Sequence, residues 1–262
     1  MAKVNALRAP TPHPEGQNII AVASGKGGVG KTWLAISLAH AFAKSQKQVL
    51  LFDGDLGLAN VDVQLGLMPK RDIANVIGGE ISLQQAAFPF GAGGFDIIAG
   101  RSGSGTLASL NGPKLARLRD DLAILSAQYD RVIVDLGAGL ANSVQAFSEH
   151  FGTTLVVLTD EPTSLVDAYA YIKLQVLQRP AADIRIVINQ AKNNQDGERT
   201  YATLRKACEN FLSLTFPLAA VIRRDPHVKE SIRAQTSLLT RHPASDAARD
   251  VEALARKLMG GK

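Results

Sequence analysis

Cysteine and long apolar runs are what this sequence of 262 residues has least of. Its single cysteine, Cys208, cannot form an intramolecular disulfide, a four-thiolate zinc site or, by itself, an iron–sulfur cluster. We expect it to be a small buried or half-buried thiol. No run of about 18 apolar residues is present, so no membrane-spanning helix is expected. Residues 1–18 carry Lys3 and Arg8 without an apolar stretch behind them, which excludes a secretory signal. These absences predict a soluble, cytoplasmic protein.

Excess charge is confined to one part of the chain. The composition, 46% hydrophobic and 20% charged, is that of a globular protein, and the net charge is +5. Residues 199–262 hold twelve Lys and Arg against six Asp and Glu, a surplus of six. This basic quarter is compatible with a solvated surface, and also with contact to nucleic acid, acidic lipid or an acidic partner.

Short apolar segments alternate with segments of helical length. Residues 1–18 contain three prolines and Gly16 and are expected to be a flexible leader before a single domain over residues 19–262. The segments expected as strands are residues 19–23, 49–53, 95–99, 131–135, 155–159 and 184–189. Helices are expected between them, for example at residues 31–45, 113–128, 140–149 and 164–178. The alternation predicts an α/β fold with a mostly parallel sheet flanked by helices on both faces. Ligands of such sheets bind at the carboxyl ends of the strands.

A phosphate-binding motif follows the first predicted strand. Residues 25–32 read G-K-G-G-V-G-K-T, which matches the P-loop pattern G-x-x-x-x-G-K-[ST] between a strand and a helix. A P-loop directs backbone N–H groups towards phosphate oxygens at the positive end of the following helix. We therefore expect Lys31 to contact the β- and γ-phosphates of ATP and the Thr32 hydroxyl to bind Mg²⁺. The residues expected to bind the nucleotide here are Gly25, Gly27, Gly28, Val29, Gly30, Lys31, Thr32 and, through its backbone N–H, Trp33.

Two aspartates end predicted strands and are the candidate partners of this magnesium ion. Asp53 and Asp135 each follow a run of apolar residues. Because a P-loop needs carboxylates at the ends of neighbouring strands, both are expected to hold Mg²⁺ together with Thr32. Asp55, two residues beyond Asp53, is in a position to orient a water molecule.

A second lysine in the P-loop points to a particular family. Residues 26–32, K-G-G-V-G-K-T, resemble the deviant Walker A motif of the MinD/ParA ATPases, which are P-loop NTPases. In that family the first lysine reaches across a dimer interface to the partner's nucleotide. The resemblance implies slow ATP hydrolysis by an ATP-dependent dimer, with Lys26, Lys31 and Asp55 as catalytic residues. It also implies that Gly137 and Gly139 belong to a switch loop that senses the γ-phosphate.

Three positions bear on the nucleotide base or depart from the family pattern. Asn189, at the end of a predicted strand, stands where the family has an asparagine that hydrogen-bonds adenine; an asparagine that only forms a turn is the alternative. Arg223 stands where relatives often have a proline near the base. Trp33 stands where relatives usually carry a small or polar residue, which implies altered nucleotide affinity or a covered side of the site.

Three further segments resemble a narrower group, the FlhG/FleN flagellar regulators. Residues 57–67, G-L-A-N-V-D-V-Q-L-G-L, are similar to a segment shared with MinD, and residues 100–105 resemble a glycine–serine loop of these proteins. Residues 161–173, E-P-T-S-L-V-D-A-Y-A-Y-I-K, resemble an FlhG/FleN segment that ParA proteins lack. We expect Thr163 or Ser164 to cap a helix there. The side chains expected on its polar surface are those of Asp167, Tyr169, Tyr171 and Lys173.

The resemblance implies a switch ATPase that regulates flagellar number or placement, in the cytoplasm or at the periphery of the inner membrane. The implied partners are a second copy of the chain and a flagellar GTPase or flagellar regulator protein. Only residues 5–8 remain of the N-terminal motif with which relatives activate that GTPase. Residues 249–262 have helical apolar spacing and are expected to pack on the core rather than to anchor a membrane, while a weak membrane or acidic-surface contact stays open.

The same residues bear on three other functions. A ParA- or MinD-like role in chromosome partitioning or division-site positioning is the main alternative; the basic residues 199–262 favour it and residues 161–173 disfavour it, so nucleic acid is the less favoured partner. A metal–sulfur carrier would need paired cysteines, and this chain has one. An amide synthetase would need substrate residues or a glutaminase domain for which no length remains.

Overall fold

The computed structural model describes residues 16–55, 59–100, 112–139, 147 and 151–260. These residues form eight strands and ten helices with defined bounds. The strands are β1 (Ile19–Ala23), β2 (Val49–Gly54), β3 (Phe88–Phe90), β4 (Phe95–Ile98), β5 (Arg131–Leu136), β6 (Thr153–Leu158), β7 (Asp183–Ala191) and β8 (Leu218–Arg223). The helices are α1 (Lys31–Lys44), α2 (Val61–Leu65), α3 (Ile73–Ile77), α4 (Leu83–Ala86), α5 (Gly112–Ser126), α6 (Pro162–Gln178), α7 (Asn194–Leu212), α8 (Pro226–Arg233), α9 (Leu238–Arg241) and α10 (Asp246–Leu258).

All eight strands lie in one sheet, in the order β3-β4-β2-β5-β1-β6-β7-β8. Every neighbouring pair is parallel except β3 and β4, which are antiparallel. The predicted α/β fold with a mostly parallel sheet is therefore confirmed. The antiparallel edge strand β3 was not predicted, because three residues that include Pro89 give little strand signal; an edge is also where a sheet tolerates proline.

The sheet separates two apolar clusters. Strand β1 has the sequence I-I-A-V-A with every residue buried, and its side chains alternate between the two faces. Ile19 and Ala21 pack in the cluster beneath α3 to α7, while Ile20 and Val22 pack in the cluster beneath α1, α2, α9 and α10. This two-sided burial explains the near-continuous apolar runs of the central strands.

The start of α6 differs from the prediction. The helix begins at Pro162, whose fixed φ suits the first helical position, and Glu161 is the N-cap residue without a side-chain cap bond. The expectation that Thr163 or Ser164 caps the helix was wrong. The Ser164 hydroxyl instead accepts a hydrogen bond of 3.0 Å from the backbone N–H of Thr159, which joins the helix to the end of β6.

Tyr171 was also wrongly expected on the polar surface of α6. It is fully buried, on the same side of the helix as Ala168, Ile172 and Gln175. Residues spaced by three and four positions share one face of a helix, and this face packs on the sheet. Burial raises the pKa of the Tyr171 phenol.

Two smaller expectations are confirmed. Cys208 is buried on α7, and this burial raises the pKa of its thiol to about 11. Helix α10 packs against the core through a buried face that includes Val251 and Leu254. Among the described helices, none has the length and apolar character needed to cross a membrane.

Some predicted features lie outside the described residues. These are most of the leader, including the motif remnant at residues 5–8; residues 56–58; residues 101–105 of the expected glycine–serine loop; and, apart from residue 147, the expected helix at residues 140–149.

Candidate functional site

The P-loop lies between β1 and α1 and is held from two sides. Gly28 and Gly30 have φ values of 78° and 92°, a left-handed backbone that favours glycine. A side chain at Gly30 would collide with the amide of Asn189 at the end of β7, and one at Gly25 would collide with the backbone of Asp167 on α6. Both glycines are therefore required by close packing, and the loop between them is fixed by the sheet and by α6.

Lys31 is the first residue of α1, and its side chain turns inward. The residue is only 8% exposed. Burial lowers the pKa of its ammonium group, while the nearby carboxylates of Asp135 and Asp55 act in the opposite direction. The predicted phosphate lysine thus lies near two of the predicted acidic residues, the buried Asp135 and the half-buried Asp55.

Asp53 and Asp135 face each other across two neighbouring strands. They are paired positions in the parallel register of β2 and β5, and both are fully buried. The carboxylate of Asp53 accepts backbone hydrogen bonds from Asp55 at 3.2 Å, and from Asn60 and Val61 at 3.1 Å each. Its pKa is nevertheless raised well above the ordinary value, first by burial and then by the charge of Asp135. A pair of buried carboxylates so close together favours a bound cation.

Asp135 has unused hydrogen-bonding capacity. Neither of its carboxylate oxygens has a well-formed hydrogen bond from the part of the chain that the structure describes. Burial raises its pKa to about 7; the Thr32 hydroxyl and the Lys31 ammonium lower it, and Asp55 raises it. Buried polar atoms are nearly always satisfied, so two orphaned oxygens beside a hydroxyl and a second carboxylate fit a hard divalent cation such as Mg²⁺.

The loop after β5 approaches the P-loop. The backbone N–H of Gly139 donates a hydrogen bond of 3.0 Å to the carbonyl of Ser24, directly before the P-loop. Gly139 has a φ of 100°, which requires glycine or strain. The loop after β5 therefore contacts the residue before the P-loop, and the predicted response of Gly137 and Gly139 to the γ-phosphate stays a prediction.

Lys26 lies at the opposite end of the P-loop from Lys31 and has different neighbours. Its ammonium group lies 2.5 Å from Oε2 of Glu161 and donates a hydrogen bond of 2.7 Å to Oγ1 of Thr163. The side chains of Lys26 and Glu161 are 33% and 61% exposed. This contact could not be predicted from the sequence, because the partners are about 135 positions apart and no local pattern joins them.

Asn189 also contacts the P-loop. Its Nδ2 donates a hydrogen bond of 2.7 Å to the carbonyl of Val29, and its Oδ1 accepts one of 2.9 Å from the backbone N–H of Gln190. The amide keeps one N–H and one lone pair beyond these bonds. Asn189 therefore supports the loop, and its predicted contact with adenine stays a prediction.

The two departures from the family pattern have structural roles. The Trp33 side chain is 5% exposed and packs in the apolar cluster beneath α1, so the indole is part of the core. Arg223 at the end of β8 is bound to α10: its backbone N–H and guanidinium bind Asp250 at 2.9 to 3.0 Å, and its Nη1 lies 3.1 Å from Asp246.

Comparisons with known proteins agree with this architecture. Residues 20–238 match the family model of the CobQ/CobB/MinD/ParA nucleotide binding domain. The chain is 38% identical over 240 residues to the antiactivator FleN of Pseudomonas aeruginosa, covering 92% of this chain and 85% of that protein. It is 32% identical over 221 residues to the flagellum site-determining protein YlxH of Helicobacter pylori, covering 84% and 74%. Among solved structures, the septum site-determining protein MinD of Pyrococcus horikoshii, complexed with Mg-ADP, superposes with a TM-score of 0.77 at 23% identity, covering 92% and 95%.

Proposed function

The chain belongs to the MinD/ParA family of nucleotide-binding proteins, and we propose that it is an ATP-hydrolysing switch of the FlhG/FleN type whose dimerisation depends on ATP. The observation that carries this proposal is the meeting of Lys31, Asp53 and Asp135 in one buried place at the mouth of a complete P-loop. An ammonium group suits phosphate, and paired carboxylates with a hydroxyl suit Mg²⁺.

In this proposal the P-loop glycines bind the phosphates through backbone N–H groups, and Lys31 neutralises phosphate charge. Thr32, Asp53 and Asp135 would hold Mg²⁺, which supplies further neutralisation when bound. Asp55 lies close enough to affect the pKa values of both Lys31 and Asp135. A carboxylate there suits the role of orienting the attacking water.

Lys26 is the proposed link between hydrolysis and dimerisation. It is partly exposed at the edge of the site, and in this chain it binds Glu161 and Thr163 rather than facing Asp53 or Asp135. We propose that it serves the nucleotide of a second copy of the chain. An added cation would then stabilise phosphoryl transfer only when two copies meet, which makes hydrolysis slow and dependent on the dimer.

We further propose that this switch regulates flagellar number or placement, since the chain is similar to FleN and to YlxH over most of its length. A flagellar GTPase or flagellar regulator protein is the proposed partner of the ATP-bound dimer. The proposed location is the cytoplasm, with contact at the periphery of the inner membrane through basic residues. The apolar face of α10 packs on the core and is not available to insert into a membrane. The proposed membrane contact is therefore weaker than that of an inserted amphipathic helix.

The oligomeric state with ADP and with ATP tests this proposal. An Asp55→Ala variant, in which hydrolysis is expected to fail, would be examined by light scattering with each nucleotide and Mg²⁺. We expect a monomer with ADP and a dimer with ATP. A monomer in both states, with nucleotide bound, would contradict the dimerising switch.

Lys26→Ala, made together with Asp55→Ala, is the matched variant for that experiment. It should still bind nucleotide as a monomer, because Lys31 and the magnesium residues are intact. It should not dimerise with ATP, because the cation proposed to act across the interface is absent. A dimer that persists in this variant would contradict the role proposed for Lys26.

A further inference from the structure

Two histidines and a glutamate meet on α8 and just beyond α9. His227 and Glu230 are three positions apart on α8, so they share one face of that helix. His242 follows α9, and one ligand atom from each of the three side chains lies within 4.8 Å of the others. The imidazole rings of His227 and His242 have their centroids 4.3 Å apart. Nothing in the proposed ATPase function uses these residues.

His242 provides the first sign that the cluster can hold a metal ion. Its Nε2 is buried and, among the described residues, has no hydrogen-bond partner of good geometry. Oε1 of Glu230 lies 3.4 Å from this nitrogen. Two ligands of a tetrahedral Zn²⁺ ion, each about 2.1 Å from the metal, are separated by about 3.4 Å. This separation fits two donor atoms that share a cation, and it is also that of a direct contact between the two side chains.

Asp225 provides an independent second sign. Its Oδ1 lies 2.8 Å from Nδ1 of His227, and it also accepts the backbone N–H of His227 at 3.0 Å. Its Oδ2 accepts the backbone N–H of Ala247 at 3.2 Å, so the carboxylate is fixed between α8 and α10. A carboxylate on one ring nitrogen orients the imidazole and leaves Nε2 as the metal-binding nitrogen, which is the usual outer arrangement around metal-bound histidine.

We propose that His227, Glu230 and His242 form a binding site for a divalent transition metal of the Zn²⁺ class. Imidazole and carboxylate donors suit Zn²⁺, and three protein ligands leave the fourth tetrahedral position to water. The ion would join α8 to the end of α9. That corner adjoins α2, because Gln235, two positions after α8, donates a hydrogen bond of 3.3 Å to the carbonyl of Val63. The role is structural and separate from the magnesium residues Asp53 and Asp135.

Arg241 competes with the metal in this arrangement. Its guanidinium lies 3.1 Å from Oε1 of Glu230, the same oxygen that faces His242. If the metal site exists, removing Arg241 should tighten metal binding, because Glu230 loses a competing cation. If the cluster is only a set of ion pairs, the same variant should not gain affinity for Zn²⁺.

Zn²⁺ binding by the full-length chain without an affinity tag tests the site. Titration calorimetry would be run with ADP and excess Mg²⁺ present, so that Asp53 and Asp135 are occupied. We expect one equivalent of Zn²⁺ per chain for the wild type. Binding should weaken at least tenfold in His227→Ala and in His242→Ala, since each removes one of three ligands. In Arg241→Gln it should tighten several-fold.

Lys229→Gln is the matched control, because Lys229 is an exposed residue of α8 between two ligands; its Zn²⁺ affinity should equal that of the wild type. Thermal unfolding with Zn²⁺ and with a chelator gives a second readout, which should shift for the wild type and not for the histidine variants. Wild-type binding no tighter than that of a His227→Ala/His242→Ala double variant would overturn the proposal. So would weaker binding in Arg241→Gln. Neither result would bear on the ATPase proposal.

Discussion

The two lysines of the P-loop lie five positions apart and have opposite surroundings. Lys31 is 8% exposed, begins α1 and points towards buried carboxylates. Lys26 has a side chain that is 33% exposed and is held by Glu161 and Thr163, two residues at the start of α6. The fold itself positions Lys31, whereas surface contacts that water can replace position Lys26.

This difference separates two tasks that a switch must perform. Binding of nucleotide needs a group that is in place before the ligand arrives, and a buried lysine between Asp55 and Asp135 meets that need. Response to a partner needs a group that can change its neighbours at small cost, and an exposed ion pair is worth about 0–1 kcal/mol. The two ends of one loop can therefore serve binding and switching separately.

The largest expected effect is on Lys31. Lys31→Ala should weaken binding of Mg-ADP about 100-fold, which corresponds to the loss of a charged hydrogen bond worth about 3 kcal/mol. It also leaves Asp135 and Asp53 without a nearby balancing cation, so the apo protein should become less stable above pH 7. Calorimetric titration with Mg-ADP measures the first effect and denaturant unfolding measures the second.

Lys44→Ala is the control for that variant. Lys44 lies at the opposite end of α1 and forms an exposed ion pair with Glu252, so its removal takes one cation from the same helix without touching the P-loop. Nucleotide affinity should not change. If Lys31→Ala and Lys44→Ala bind Mg-ADP equally well, the buried lysine is not the phosphate ligand.

An intermediate effect is expected for Asp135. The pKa of Asp135 is about 7 in the folded protein and about 3.9 in the unfolded chain. At a pH between these two values, the Asp135 carboxyl is therefore protonated in the folded protein and ionised in the unfolded chain. The stability of the apo protein should therefore fall as the pH rises from about 4 to 7. Asp135→Asn removes the part of this dependence that comes from Asp135, while Asp53, whose pKa is also raised, keeps its own, so stability should fall less steeply with pH than in the wild type.

The same variant should lose the stabilisation that Mg-ADP gives the wild type, because a buried carboxylate has been removed from the metal site. Asp121→Asn, at an exposed position on α5, makes the same change of charge and should keep the wild-type pH dependence. Denaturant unfolding at several pH values, with and without Mg-ADP, compares the three proteins. An unchanged slope of stability against pH in Asp135→Asn would contradict the assignment of the buried charge.

Lys31, Asp53 and Asp135 could be predicted from the sequence because their signals are local. A P-loop is a contiguous motif, and each aspartate directly follows a short run of apolar residues that is typical of a buried strand. Once the strands are parallel, their carboxyl ends meet at one edge of the sheet. The remaining step, that Asp53 and Asp135 are paired positions, depends on the strand order and came only from the structure.

Contacts between distant segments could not be predicted in the same way. The partners of Lys26 follow β6, and the support that Asn189 gives Val29 spans 160 positions. For these contacts the deciding interaction is tertiary, and a single sequence contains no local record of it. Tyr171 is a different case: its phenol carries a polar atom, but its helical spacing from Ala168 and Ile172 is visible in the sequence and places the ring on the face that packs against the sheet.

The smallest expected effect is on Glu161, and it tests the Lys26 side of the comparison. If Lys26 must leave Glu161 to serve a partner, weakening this ion pair should favour the dimer. Glu161→Gln, made in the Asp55→Ala background, should lower the dimer dissociation constant with ATP by up to about 30-fold, because each of the two copies gives up an exposed pair worth up to about 1 kcal/mol. Sedimentation equilibrium at several protein concentrations measures this constant.

Asp160→Asn in the same background supplies the control. Asp160 is the exposed neighbour of Glu161, so this variant makes the same change of charge beside the P-loop without removing a contact of Lys26. An equal change in both variants would show a general electrostatic effect. A dimer weakened only by Glu161→Gln would mean that Glu161 holds Lys26 in the position that the dimer needs. Lys26, at the exposed end of the P-loop, would then be as preorganised as Lys31 at the buried end.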